Sequence, residues 1–240
     1  MSDKSRAGSA AATARKPRKR RTPSALLKFV MALSGVLLLL YVVLHMIGNL
    51  KIFLGGQAID EYAAYLRMLL EPLVPYGGVL WIVRIVLLVS VIAHIWAATV
   101  LTLRARKARP IKYAGGSHQV KGSYAARTMR WGGVIIALFV VYHLMDLTAG
   151  WLNPNGVHLA VNDNVHADFA PGRWYVTLFY VIAVVALGFH VRHGIFSGMQ
   201  TLGWSNNNRE RTIKAVATVV AVVLTLGFVS VPLAVTFGVV

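Results

Sequence analysis

Five long apolar segments dominate this sequence, at residues 26–50, 77–103, 129–152, 174–198 and 213–237. Each provides the roughly 20 residues that an α-helix needs to cross the hydrocarbon core of a bilayer. Because no water reaches that core, backbone polar groups must be paired within the segment, as they are in a helix. The sequence therefore predicts an all-α membrane protein with five transmembrane helices.

The composition supports this prediction and excludes several classes of protein. Hydrophobic residues make up 57% of the chain and charged residues 14%, which is typical of a polytopic membrane protein. Too few residues lie outside the apolar segments for a separate soluble catalytic domain. The absence of cysteine excludes disulfides, iron–sulfur clusters and c-type haem attachment within this chain.

The distribution of charge predicts the orientation. Basic residues collect before the first segment, between the second and third, and between the fourth and fifth. By the positive-inside rule the N-terminus is cytoplasmic and the C-terminus lies outside. We predict a disordered basic cytoplasmic tail at residues 1–23 and a transmembrane domain at residues 24–240. The net charge of +17 then reflects topology and not nucleic-acid binding.

Each of the first four segments carries a histidine deep in its apolar run: His45, His94, His143 and His190. Ionisable residues at such depth are costly and mark functional sites. At about 1.5 Å per residue, His45 and His143 lie at one level near the outside, and His94 and His190 at another near the inside. This pattern favours two bis-histidine haem b groups between the helices of a four-helix bundle.

Small and polar residues accompany the histidines. Glycines permit the close approach of a flat macrocycle, although they also serve plain helix packing; they are Gly35, Gly48, Gly132, Gly133, Gly188 and Gly194. Ser34, Arg192 and His193 are candidates to bind the propionates of the inner haem. His193 is also the rival ligand to His190, which is favoured because it matches the level of His94.

Two charges inside the apolar segments, Arg84 and Asp146, both fall at the outer level. They are placed to pair with each other, to hold propionates or to handle protons. A further charge, Glu71, lies at the outer end as well.

The outer loops contain two further features. Residues 59–70 have the apolar spacing of an interfacial helix, with Asp60 as its cap and Pro72 as its stop. The next outer loop carries His158 and His166, which we interpret as ordinary exposed histidines and not as a metal site.

Four motifs resemble a known family, the cytochrome b membrane-anchor subunit of succinate dehydrogenase/fumarate reductase in its single-subunit, five-helix, two-haem form. They are HMIGNLKIFLG from His45, WIVRIVLLVSVIAHI ending at Ile95, YHLMDLTAG from Tyr142 and FHVRHGIFSGMQTLGW from Phe189. The resemblance implies a respiratory-chain complex of the tricarboxylic acid cycle, in the bacterial cytoplasmic (inner) membrane.

The resemblance also implies partners and an electron route. An FAD flavoprotein subunit oxidises succinate, and an iron–sulfur subunit docks on the inner face. Electrons then pass through two haems b to a quinone, usually menaquinone. With a second haem near the outside, we expect the quinone site at the outer end, where Arg84, Asp146 and Glu71 offer hydrogen bonds and a proton supply. The competing site lies at the inner end, near Ser34 and His193. The basic loops at 104–130 and 209–214 are the expected docking surface. Whether the complex forms a higher oligomer stays open.

Two other functions remain as alternatives. One is a dihaem quinone cytochrome that anchors another respiratory complex, such as a nitrate reductase or a hydrogenase, although these place their ligand histidines on a different set of helices. The other is a proton-coupled transporter in which the histidines form a proton relay. A transporter predicts no absorbance in the visible region.

Overall fold

The computed structural model describes residues 22–108 and 121–240, without the side chains of residues 121–128. Nearly all of the predicted N-terminal tail and the middle of the basic loop at 104–130 lie outside the described residues.

Seven α-helices are found in this part of the chain. They are α1 Ser24–Asn49, α2 Gly56–Met68, α3 Gly78–Lys107, α4 Lys121–His143, α5 Val161–Asp168, α6 Trp174–Thr201 and α7 Asn207–Thr236. Five stretches of helix are long and apolar enough to cross a membrane, and they match the five predicted segments. The predicted all-α membrane fold is confirmed.

Helix ends differ from the predicted ones where the backbone departs from a regular α-helix. α1 begins at Ser24, with Pro23 and not Ser24 in the capping position, and continues as a 3-10 turn at Leu50–Leu54. α4 passes into a π-helical turn at Leu144–Thr148. Such turns often occur at functional sites, and this one carries Asp146.

The outer-loop helices correct one prediction and add an element. The predicted interfacial helix is present as α2, but Asp60 lies inside it and does not cap it. Asp60 Oδ1 instead accepts a hydrogen bond of 3.0 Å from the Asn162 backbone N–H, in the first turn of α5. The short helix α5 was not predicted. Asp60 therefore joins the two helices that cover this end of the bundle.

The transmembrane helices pack around α6, which contacts α4, α7 and α1, while α1 also packs against α3 and α7. A Cβ atom at Gly188 of α6 would collide with Thr225 of α7, and one at Gly227 would collide with Met46 of α1. Small residues thus allow close approach of these helices, as is usual in membranes.

The two ends of the bundle have different characters. The basic end is where α1 begins and α3 and α6 end; there Arg104 Nη1 donates to the Thr22 carbonyl at 2.7 Å. The far end is covered by α2 and α5 over a buried apolar cluster that includes Ile52, Phe169 and Tyr180. Hydrophobic packing is thus concentrated at the far end.

Candidate functional site

The structure brings the four membrane histidines together as two pairs. The ring centroids of His45 and His143 lie 5.8 Å apart, and those of His94 and His190 lie 6.2 Å apart. Metal–imidazole bonds are about 2 Å long, so two imidazoles that ligate one metal from opposite sides have ring centroids about 6 Å apart. Both separations therefore suit one metal between each pair.

The donor set limits what kind of metal group fits. Two imidazoles fill only two coordination positions. Within residues 22–108 and 121–240 no cluster of three or more His, Cys, Asp or Glu side chains is suited to a metal ion. A metal held by either pair must therefore bring its other ligands with it, as the iron of a porphyrin does. The residues present fit a haem and do not fit a bare metal ion.

The His94 ring is oriented by the first helix. Its Nδ1 lies 3.2 Å from the Met31 carbonyl oxygen and 3.2 Å from Ser34 Oγ. Because a carbonyl only accepts, Nδ1 carries the hydrogen and the lone pair is left on Nε2. Ser34 Oγ donates its own hydrogen to the Val30 carbonyl at 2.7 Å. Ser34, predicted as a propionate ligand, thus contacts His94 directly, an arrangement that fixes the tautomer of a ligating histidine.

Two glycines lie against the rings of this pair. A Cβ at Gly35 would stand 3.4 Å from His94 Cε1, and one at Gly133 would stand 3.7 Å from His190 Cε1. The other predicted glycines serve helix packing or face open space in the described structure: Gly48, Gly132, Gly188 and Gly194. Nδ1 of His190 is buried without a hydrogen-bond partner among the described residues. Larger side chains at Gly35 or Gly133 would press on the imidazole ring beside them.

Aromatic rings surround the other pair. Tyr41 stacks on His45 with centroids 5.4 Å apart, and Phe139 stacks on His143 at 5.7 Å. The Tyr180 hydroxyl lies 3.4 Å from His143 Nδ1 and donates its hydrogen to Asp146 Oδ2 at 2.8 Å. The Tyr180 oxygen is therefore left to accept from His143 Nδ1, which again places the free lone pair on Nε2.

A buried carboxyl pair continues this chain of contacts. Asp146 and Asp168 are both 0% exposed. Arg173 Nη2 donates to Asp168 Oδ1 at 2.9 Å, and Arg173 Nε donates to the Asp168 carbonyl at 3.2 Å. Burial and the neighbouring Asp146 raise the pKa of Asp168 to about 7, with burial the larger cause and with Arg173 opposing the shift. A carboxyl group whose pKa lies near neutrality is therefore part of this end of the bundle.

Sequence reasoning missed Asp168 and Tyr180. In the sequence, Asp168 is one acidic residue of an outer loop, and Tyr180 looks like any aromatic residue in an apolar run. A usable signal was present, because Asp168 is an acid flanked by apolar residues only five positions before Arg173. The π-helical turn that aims Asp146 at Tyr180 has no such signal.

The predicted quinone residues are not brought together. Asp146 contacts Tyr180 and lies beside Asp168, so of the three alternatives for Arg84 and Asp146 their pairing with each other is not formed. Arg84 is exposed, with its guanidinium 4.9 Å from the centre of the Trp81 ring. Glu71 is exposed in the turn that follows α2.

The remaining candidates lie apart from the carboxyl pair. Arg192 is exposed and its Nε donates to Thr218 Oγ1 of α7 at 2.8 Å, while His193 is half-buried. His158 is exposed as expected. His166 is half-buried, with Nδ1 2.9 Å from the Asn162 carbonyl of its own helix.

A cleft of about 570 Å³ opens at the basic end between α1, α3 and α6. Its lining combines two cations with polar and apolar side chains, among them Lys28, Arg104, Met31 and Gln200. Met31 also supplies the carbonyl that holds His94. The cleft therefore lies next to the His94–His190 pair.

Comparison with known proteins adds one finding. A family model described as the succinate dehydrogenase/fumarate reductase transmembrane subunit matches residues 105–229, just over half of the chain. No curated protein and no solved structure matches. The matched range contains His143 and His190, one member of each histidine pair, together with the Asp146–Asp168 pair. With five helices able to cross a membrane and this match, the chain belongs to the transmembrane subunit family of succinate dehydrogenase and fumarate reductase.

Proposed function

We propose that this protein is the haem b-containing membrane anchor of a succinate:quinone oxidoreductase. It receives electrons from the iron–sulfur subunit and passes them through two bis-histidine haems to menaquinone. The observation that carries the proposal is the presence of two histidine pairs, with centroids 5.8 and 6.2 Å apart, in a member of this family. Membership itself means that the chain partners the catalytic subunits of the complex.

The two pairs have distinct roles in this proposal. His94 and His190 hold the haem at the basic end, and His45 and His143 hold the one at the far end. When bound, haem supplies reversible one-electron transfer. The protein orients the imidazoles through Met31 and Ser34 on one side and through Tyr180 on the other. Because hydrogen bonds and nearby charge tune a haem's potential, the two midpoint potentials are unequal.

The catalytic subunits dock on the basic end, which faces the cytoplasm. Exposed cations there include Arg209 and Arg211 in the first turns of α7. Lys28 and Arg104 line the cleft at the same end. A basic surface of this kind steers and orients an acidic partner. On this view the His94–His190 pair is the first to receive electrons.

Quinone reduction takes place at the far end, where Glu71, Arg84 and Asp146 were predicted to act. Glu71 and Arg84 are exposed toward the membrane or its surface, whereas Asp146 is buried and contributes through protons and not by contact. The competing quinone site is the cleft at the basic end. Its size, its polar lining and its position next to Met31 favour it as the second candidate.

One experiment tests the central proposal. The complex is purified with this subunit, and its haem b content and reduced-minus-oxidised spectrum are measured with succinate as the electron donor. Two haems per subunit, both reduced by succinate, are expected. A colourless subunit would overturn the haem-bearing part of the proposal, and haems that succinate does not reduce would overturn the proposed electron route.

A second experiment locates the quinone site. In Glu71→Gln and Asp146→Asn complexes, succinate still reduces both haems, but quinone reduction falls at least about tenfold, or roughly 1.4 kcal/mol in the barrier. Glu61→Gln is the matched control, because Glu61 is an exposed acid in the preceding helix. Unchanged quinone turnover in both variants assigns the site to the cleft at the basic end.

A further inference from the structure

The Asp146–Asp168 pair has an incomplete set of partners. Asp146 comes from the π-helical turn after α4, and Asp168 is the last residue of α5. One oxygen of each is satisfied from another element, by the Tyr180 hydroxyl for Asp146 and by Arg173 for Asp168. The second oxygens, Asp146 Oδ1 and Asp168 Oδ2, are buried and have no donor in the described parts of the chain.

A proton completes this arrangement. The two side chains lie within hydrogen-bonding reach of each other, but two carboxylates only accept, so a bond between them needs a hydrogen on one. Two carboxylates and Arg173 together leave one negative charge in a buried site, and a single proton neutralises it. A hard cation fits less well, because it takes six or more oxygen ligands and only two carboxyl groups meet here.

We propose that Asp146 and Asp168 form a carboxyl pair that holds one shared proton and, through Tyr180, sets the orientation of His143. This inference rests on the proposed function, in which His143 is a haem ligand. Asp146 lies one helical turn beyond His143, and the Tyr180 hydroxyl stands between them. The shared proton leaves Asp146 Oδ2 free to accept from Tyr180, whose oxygen then accepts from His143 Nδ1.

The groups facing the pair are few. They are Tyr142 from α4, Tyr180 from α6 and Arg173 from the turn before α6. Arg173 is the only cation among these and stays charged at all relevant pH values, so it opposes but does not replace the proton. The raised pKa of Asp168, about 7, agrees with one bound proton under neutral conditions.

Infrared spectroscopy of the purified complex tests the pair directly. At neutral pH the wild type should show the C=O band of a protonated carboxylic acid, and the band should shift in D2O. It should titrate as one proton and be lost in both Asp146→Asn and Asp168→Asn. Asp163→Asn, which changes an exposed acid on α5, should keep it. The infrared band does not depend on haem. A complex that lacks haem would therefore contradict the proposed function, while the carboxyl pair could still be tested.

A redox titration tests the link to His143. The midpoint potential of the far-end haem should depend on pH in the wild type and lose most of that dependence in either Asn variant. The midpoint potential of the basic-end haem should have the same pH dependence in the wild type and in both variants. Two ionised carboxylates through neutral pH, or a carboxylate signal that responds to added metal ions instead of pH, would overturn the proposal. If a variant complex fails to assemble, the infrared C=O band of the wild type still tests whether the pair holds a proton.

Discussion

The two histidine pairs have nearly the same geometry and very different surroundings. The far-end pair lies among aromatic rings, next to a buried carboxyl pair and beneath the helices α2 and α5. In the basic-end pair, His94 is held by a backbone carbonyl and contacts a hydroxyl, and the pair lies beside glycines and a cleft lined by cations. A covered, acidic environment suits proton handling, and an open, basic one suits docking of a partner. Equivalent ligand pairs thus acquire different tasks from their neighbours.

Removal of a ligand should have the largest effect and should separate the two pairs. His45→Ala or His143→Ala should abolish the far-end haem, and His94→Ala or His190→Ala the basic-end haem, because one imidazole does not hold a low-spin bis-histidine haem. Haem content per complex and redox titration measure this. His193→Ala, one turn beyond His190, is the control and should retain both haems; loss of a haem in this variant would reassign the ligand.

Reporter fusions test which pair faces the cytoplasm. A fusion after Gly116 should report inside and a fusion after Asn155 outside, because the basic loops stay on the cytoplasmic side. The His94–His190 pair then lies nearest the docking subunits. The same side for both fusions would contradict the span count, and with it the pairing of the histidines across the membrane.

Smaller changes beside each pair should act on one haem only. Tyr180→Phe removes the hydroxyl between His143 and Asp146, and Ser34→Ala removes the contact with His94. Each should weaken retention of its own haem by roughly tenfold and shift its potential, as substitutions of residues that orient metal ligands do. Haem dissociation assays and potentiometry provide the measurement. If both variants alter both haems alike, the two sites are not independent.

The smallest effect is expected from a single methyl group. Gly35→Ala places a Cβ 3.4 Å from His94 Cε1, at the short limit of ordinary van der Waals contact, so a haem held by this ring would have less room beside it and would bind more weakly, by about 1 kcal/mol. Thermal loss of the basic-end haem signal should therefore begin at a lower temperature, while the far-end signal is unchanged. Gly194→Ala, with open space around it in the described structure, is the matched control. If the basic-end haem signal is lost at the same temperature in both variants, Gly35 does not contribute to this site.

Much of the fold was predictable because it depends on local physics. A segment that crosses hydrocarbon must be long, apolar and helical, so its place in the chain can be read from the sequence, although its exact ends cannot. The interfacial helix α2 was predicted for the same reason, from its apolar spacing. Depth along a rigid helix is simple arithmetic, which is why His45 was expected opposite His143 and His94 opposite His190.

The contacts that complete each site were not predictable in this way. Ser34 was expected near propionates and contacts His94, Asp60 was expected to cap its own helix and binds α5, and Asp146 meets Tyr180 and Asp168 instead of Arg84. Each depends on the rotation of a helix about its axis or on an irregular turn. These are set by packing between distant segments.

By itself, the sequence determined how many helices cross the membrane, how deep each histidine lies and which end is basic, since hydrophobicity, helical rise and charge are properties of consecutive residues. Only the tertiary structure decided which side chains meet at a given depth. The close packing at Gly188 and Gly227 and the π-helical turn at Leu144–Thr148 orient the helices and turn Asp146 toward Asp168. Contacts between segments distant in sequence decide which side chains meet. The direction in which a side chain points from its helix matters only in relation to the helices packed against it.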